Sequence, residues 1–148
     1  MQQNTPISGI MTRKPEFAAP ADTLDRIREI FETHGFHHIP VVENGKLAGI
    51  VSYNDYVDSI RNLFSNITDP EQINKGLNTT LVKDIMTSEV HSLLQTDTLG
   101  KAVQIFHTYQ FHALPVVDEQ QNLVGILTTN DLMKVLEVLI APEKSYTD

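Results

Sequence analysis

Apolar positions in the first half of the chain follow two rhythms, one helical and one strand-like. Leu24, Ile27, Ile30 and Phe31 fall on one face of a helix. Asp22 and Thr23 are N-cap candidates, with Pro20 just before them and Asp25 in the first turn. Gly35 is expected to end this helix in the left-handed conformation. Two short β-branched runs follow at 39–42 and 47–51, and Asn44-Gly45 between them favours a tight type I′ turn. Tyr56, Val57, Ile60, Leu63 and Phe64 then form the apolar stripe of a closing helix with one buried face.

The same order recurs further along. Ile10-Met11-Thr12 matches Ile85-Met86-Thr87, Asp22-Thr23-Leu24 matches Asp97-Thr98-Leu99, and Pro40-Val41-Val42 matches Pro115-Val116-Val117, all 75 residues apart. The offset becomes 76 for Leu47, Gly49, Ile50, Asn54 and Asp55, matched by Leu123, Gly125, Ile126, Asn130 and Asp131. The hairpin loop Glu119-Gln120-Gln121-Asn122 is one residue longer, which accounts for the change without disturbing a strand. Two copies of one small unit are therefore joined in tandem. Each is small enough that an isolated core would be marginal, so burial of one copy against the other is expected. The boundaries read 1–65 for the first copy, 66–80 for a linker of turn composition with a helical turn near 71–74, and 81–148 for the second.

One difference between the copies stands out. In the last helix, from Leu132 to Ile140, only Lys134 and Glu137 are polar. A helix apolar nearly all round needs burial on more than one side, either deep in its own module or against a second copy of the chain.

Composition narrows the function. The chain of 148 residues has no cysteine, which removes disulfides, thiolate zinc sites and thiol catalysis. A formal net charge of −8 and scattered lysines and arginines give no basic stripe for nucleic acid. No apolar run is long enough for a membrane span and no signal peptide is visible, so a cytoplasmic protein is the expectation. No Walker loop, His-Glu-x-x-His pair or serine with a base and orienter is present, so no catalytic residue is assigned and an enzyme is not expected.

The chemistry concentrates where the second strand of each hairpin enters a helix, in the pattern Gly-h-h-Ser/Thr-x-x-Asp, with h apolar. Ser52 or Thr128 would sit at the helix N-terminus, where a phosphate is favoured by free N–H groups and the helix dipole. Asp55 or Asp131, one turn in, can accept two hydrogen bonds from a ribose diol. The structural alternative makes the hydroxyls N-caps and the aspartates first-turn charges. His37 and His112 occupy equivalent places before each hairpin, and His38 follows in the first copy where the second has Ala113. A metal site on His34, His37 and His38 is disfavoured because Gly35 interrupts the helix and Tyr109 stands at the His34 position.

These motifs, found twice in order, resemble a tandem pair of CBS (cystathionine-β-synthase) domains, a Bateman module, over nearly the whole chain. The resemblance implies an α/β fold of two β-α-β-β-α motifs packed about a pseudo-two-fold axis into a disc. It also implies clefts between the motifs that take AMP, ADP, ATP or S-adenosylmethionine. On this resemblance one cleft joins Thr12 and Phe17 with His112, Thr128 and Asp131. The other joins Thr87 and Val90 with His37, His38, Ser52 and Asp55. The expected function is a stand-alone regulatory module sensing an adenosine-containing ligand, AMP or ADP ahead of the others, with no required cofactor or metal. A homodimer and an unidentified regulated protein are its expected partners. The competing reading is an interaction module with empty clefts.

Overall fold

The computed structural model describes residues 3–142. In chain order the elements are β1 (Thr12–Arg13), α1 (Leu24–Thr33), β2 (His38–Glu43), β3 (Lys46–Ser52), α2 (Tyr53–Phe64), α3 (Pro70–Thr79), β4 (Leu93–Leu94), α4 (Leu99–Tyr109), β5 (Ala113–Val117), β6 (Leu123–Thr128) and α5 (Thr129–Ile140). Short 3-10 turns at Ile7–Gly9 and Val82–Asp84 precede the two Ile-Met-Thr segments.

The β2–β3 hairpin turns at Asn44 and Gly45, with φ of 52° and 80°, as its Asn-Gly pair predicts. Alternation toward one face buries Ile39, Val41 and Val51 in the first half; Leu114, Val116 and Leu127 are buried in the second. Two expectations are corrected. Gly35 lies outside the left-handed region, and α1 ends on an extended His34; it is Gln110, ending α4, that is left-handed at φ 55°. The segment read as a linker holds a ten-residue helix, α3, N-capped by Asp69 with Pro70 in its first turn. Its weak periodicity hid it, because within the helix only Leu77 is buried, on α1 and its neighbours.

The halves exchange their leading segments. β1 pairs antiparallel with β6, giving the sheet order β1-β6-β5-β4. Symmetrically, Thr87 exchanges two backbone hydrogen bonds with Ile50 of β3 (3.0 and 2.9 Å), while Ala18 lies parallel to Val41 of β2. The cores follow the exchange. Ile7 and Met11 are buried with Leu93, Leu114 and Leu127, whereas Leu77 and Val82 are buried with Leu24, Ile27 and Val51. Gly125 and Gly49 make this crossing close. A Cβ on Gly125 would lie 2.6 Å from Met11 Sδ and 2.9 Å from Thr12 O, and one on Gly49 2.7 Å from Met86 Sδ and 2.9 Å from Thr87 O. Each Ile-Met-Thr segment therefore completes the sheet of the opposite copy, and this places Thr12 beside the junction of β6 and α5.

The last helix is not a deep core helix of this chain. Met133, Leu136, Val138, Leu139 and Ile140 are 46–75% exposed.

Candidate functional site: a cleft between the two copies

Both strand-to-helix junctions carry a complete capping box. Ser52 Oγ accepts from the Asp55 amide at 3.0 Å while Asp55 Oδ2 accepts from the Ser52 amide at 3.0 Å. Thr128 Oγ1 accepts from the Asp131 amide at 3.1 Å and Asp131 Oδ2 accepts from the Thr128 amide at 2.9 Å. The first helical amides, of Tyr53 and Thr129, donate to the carbonyls of His37 (2.7 Å) and His112 (3.0 Å). These bonds tie each histidine's backbone to the opening of the helix beyond the hairpin. Helix capping thus accounts for the Ser/Thr-x-x-Asp spacing in both copies. For Asp131, which is 7% exposed, Oδ2 is the oxygen used by the cap.

A cavity of about 920 Å³ opens between the copies. Three groups of residues form its wall. The exchanged N-terminal segment gives Thr12, Lys14, Pro15 and Glu16; the α1–β2 corner gives residues 34–38, with Ser52, Tyr53 and Asn54 below it. The second copy gives His112, Ile126, Thr128 to Asp131, and Lys134. Its size is in the range of small-molecule sites.

Of the residues expected at the two clefts, Thr12, His37, His38, Ser52, His112, Thr128 and Asp131 share this one cavity. His37, His38 and Ser52 therefore lie with Thr12 and Asp131 and not in a separate group. Phe17, Asp55, Thr87 and Val90 do not line it: Phe17 is 52% exposed, Asp55 is held in its capping box and Thr87 in its bridge to Ile50.

Several wall residues were not legible beforehand. Lys134 lies three residues after Asp131, on the same helical face, and this i,i+3 spacing was the signal that could have found it. Lys14 had no such signal. It follows β1 directly at φ 48°, a left-handed conformation unusual for a lysine. His34 stacks on Phe36 (centroids 4.7 Å apart, planes 9° from parallel) and lies 3.9 Å from Glu16.

The cavity's electrostatics are mixed. Lys14 and Lys134 face Glu16 and Asp131, and four imidazoles lie among them. His38 titrates below the ordinary histidine value. Burial is the main cause, repulsion from His112 and His37 adds to it, and Asp55 opposes it. Among the described residues no group of three or more His, Asp or Glu is placed to hold a metal ion, and no helix is long and apolar enough to cross a membrane.

Two copies of a β-α-β-β-α unit, each completed by the other's leading segment around a shared cleft, define a tandem domain pair. The CBS domain profile matches residues 7–62 and again 82–138, and the chain belongs to that family. It is similar to protein MJ1225 of Methanocaldococcus jannaschii, with 29% identity over 135 residues, 90% of this chain and 48% of that protein. The solved structure of MJ1225 matches at a TM-score of 0.74, covering 92% of this chain and 49% of that one. The chain spans smaller shares, 23% and 24%, of other curated relatives. CBSX2, solved in complex with AMP, matches at a TM-score of 0.73 and 22% identity, covering 91% of this chain and 98% of CBSX2. The domain pair of MJ0100 from a complex with 5′-methylthioadenosine and S-adenosyl-L-methionine matches at 0.71 and 23% identity, covering 89% and 99%. At these identities the last two likenesses establish the fold alone.

Proposed function

We propose that the chain is a regulatory module that binds an adenosine-containing ligand in the cleft between its two CBS motifs. One observation carries this reading: a single cavity of ligand size gathers Thr12, His37, His38, Ser52, His112, Thr128 and Asp131 from both copies. Asp131 offers a carboxylate to a ribose diol, and the N-terminus of α5 offers its dipole to a phosphate. AMP or ADP suits the site better than ATP, because the cavity's two lysines are offset by Glu16 and Asp131 and leave little positive charge for a triphosphate. S-adenosylmethionine, like ATP, ranks below AMP and ADP. Asp55, Thr87 and Val90 would serve only a ligand at the symmetry-related position, outside this cavity, and Phe17 is proposed at the cleft rim.

The exposed apolar side of α5 favours a homodimer. Five large side chains there are 46–75% exposed, an unusually large apolar patch for a monomer, and a two-fold partner closes it without leaving a second patch. Ligand occupancy would then reach a regulated protein through the shape of that dimer. The competing reading, an interaction module with empty clefts, draws on the capping boxes, which explain the retained Asp and Ser/Thr without a ligand.

Thermal shift against AMP, ADP, ATP and S-adenosylmethionine separates the two. A ligand at 100 times its dissociation constant stabilises the fold by about 2.7 kcal/mol. A measurable rise in Tm with AMP or ADP is expected. No shift with any of the four at millimolar concentration would establish the empty-cleft reading.

A further inference from the structure

The pseudo-symmetry allows the rim of the cleft to be compared, position by position, with its counterpart in the other half. At the 75-residue offset Lys14 corresponds to Glu89, and at the 76-residue offset Lys134 corresponds to Asp58. Both lysines that line the cavity are thus replaced by carboxylates at the related place, while the capping aspartates, Asp131 and Asp55, are kept. Arg61 lies 3.7 Å from Asp58, but both side chains are about 70% exposed, so the pair offsets that charge weakly.

Two further differences separate the two places, and one opposes this charge pattern. Glu16, which also lines the cavity, is His91 in the counterpart, so the comparison is two lysines and one glutamate against Glu89, Asp58 and a histidine. Lys14 is held at φ 48°, whereas Glu89 is not among the residues of positive φ. A non-glycine residue persists in that region where its surroundings determine it, and such residues cluster at binding sites. The residues beside the rim also differ. Glu16 and His34 correspond to His91 and Tyr109, and His91, Tyr109 and Phe111 gather into a three-ring cluster with centroids 4.9–5.4 Å apart.

We propose that the pair holds one phosphorylated ligand per chain, in the cleft of Thr12 and Asp131, and that Lys14 and Lys134 select that cleft while Glu89 and Asp58 repel anions from its counterpart. This rests on the adenosine-ligand reading above and adds stoichiometry, position and the residues that decide both. Opposite charges at two otherwise matched places act over a few ångströms, where screening by salt is weakest.

The test is calorimetric titration of the full chain with AMP and with adenosine. One AMP per chain is expected. In a Lys14→Glu, Lys134→Glu double variant the affinity for AMP should fall at least about tenfold further than that for adenosine, since charge-assisted contacts to the phosphate are lost. Adenosine also reports whether the variant's cleft is still folded, and the neutral Lys14→Gln, Lys134→Gln pair should move AMP in the same direction by less. Two AMP per chain, adenosine binding without AMP, or equal losses for both ligands would overturn this inference and leave the adenosine-ligand reading standing. Failure of the wild-type chain to bind either compound would overturn both.

Discussion

In the first half Ile27 and Ala18 share a core cluster, and in the second half their counterparts are Ala102 and Leu93. The large and small residues have changed places, yet all four are at most 1% exposed. The interiors of the two halves are therefore held to a total volume and a pattern, not to particular residues. Their outer surfaces diverge freely. Where α2 carries Asp58 and Arg61, α5 carries Lys134 and Glu137; where α2 keeps Val57, Ile60 and Phe64 half-buried, α5 exposes Met133, Leu136 and Ile140; and where β1 leads into Lys14, its counterpart leads into Glu89. What the halves share builds the fold, and what they do not share gives the molecule one distinctive cleft and one distinctive face.

The largest effect that would test this contrast is on assembly. Light scattering at micromolar concentration should give about twice the 16.6 kDa chain mass. Val138, 75% exposed in the single chain, lies on the proposed contact of both partners, so Val138→Glu removes it twice per dimer. Burying one such side chain contributes roughly 1.5–3 kcal/mol, so the dimer should lose about 3–6 kcal/mol and the mass should halve. Leu63→Glu on α2 distinguishes two packings. A dimer that survives it has α5 against α5, and one that dissociates has α5 on the partner's α2. A wild-type monomer would remove the contrast between the faces altogether.

Next comes the ligand. Asp131→Ala should weaken AMP binding on the order of ten- to a hundredfold by calorimetry, since hydrogen bonds to a charged group are worth roughly 1.5–3 kcal/mol. Asp55→Ala, which breaks the matching capping box away from the cavity, should leave AMP affinity roughly unchanged. Both variants should lose about 0.5–2 kcal/mol of stability through the lost cap. Equal binding losses would mean that the two junctions are functionally alike, and equal indifference would mean that both aspartates only cap helices.

Much of this molecule was legible from the chain because the same pattern is written twice. The hairpins followed from β-branched runs and Asn44-Gly45, a local feature. Caps at Ser52 and Thr128 were read only as the alternative to a nucleotide role, with Asp55 and Asp131 as first-turn charges, and the reciprocal bonds of the capping boxes are seen in the structure. Three things were not legible, each for a physical reason. Helix α3 buries only Leu77 among its ten residues, so it has almost no apolar stripe to read. The end of α1 is set by the extended backbone at His34, and Gly35 permits a left-handed stop without requiring one. The grouping of His37, His38 and Ser52 with Thr12 and Asp131 depends on how the two copies approach across the cleft. No local pattern encodes that approach, and family resemblance placed these three residues in the other cleft.

The exchanged segments offer a matched pair of smaller perturbations. In Gly49→Ala and Gly125→Ala alike, the new methyl meets a methionine sulfur and a backbone carbonyl below 3.0 Å. Overpacking of this kind costs about 1–3 kcal/mol, so both variants should melt a few degrees lower. They should then part: Gly125→Ala shifts Thr12, which lines the cavity, and should weaken AMP binding, whereas Gly49→Ala shifts Thr87, which does not. Parallel binding losses would show that the whole pair moves as one body on either side.

The smallest effect concerns His38, whose counterpart is Ala113, so the fold already accommodates alanine at this place. Burial first, then His112 and His37, hold the His38 imidazole below its ordinary pKa of 6.5, and the native state therefore favours its neutral form. A depressed histidine contributes stability above the unfolded pKa and loses it as pH falls, because the unfolded chain takes up the proton first. Wild-type stability should thus decline as pH falls from about 7.5 toward and below the ordinary histidine range. Urea unfolding of His38→Ala over the same range should show a shallower decline, since that proton-linked contribution is gone. An anion in the cleft opposes the repulsion among His37, His38 and His112, so saturating AMP should also flatten the wild-type decline while leaving the variant's slope nearly as it was. If the two proteins lose stability in parallel, with and without AMP, His38 titrates as a solvent-exposed histidine would. The imidazole cluster would then be no part of what distinguishes this cleft from its counterpart.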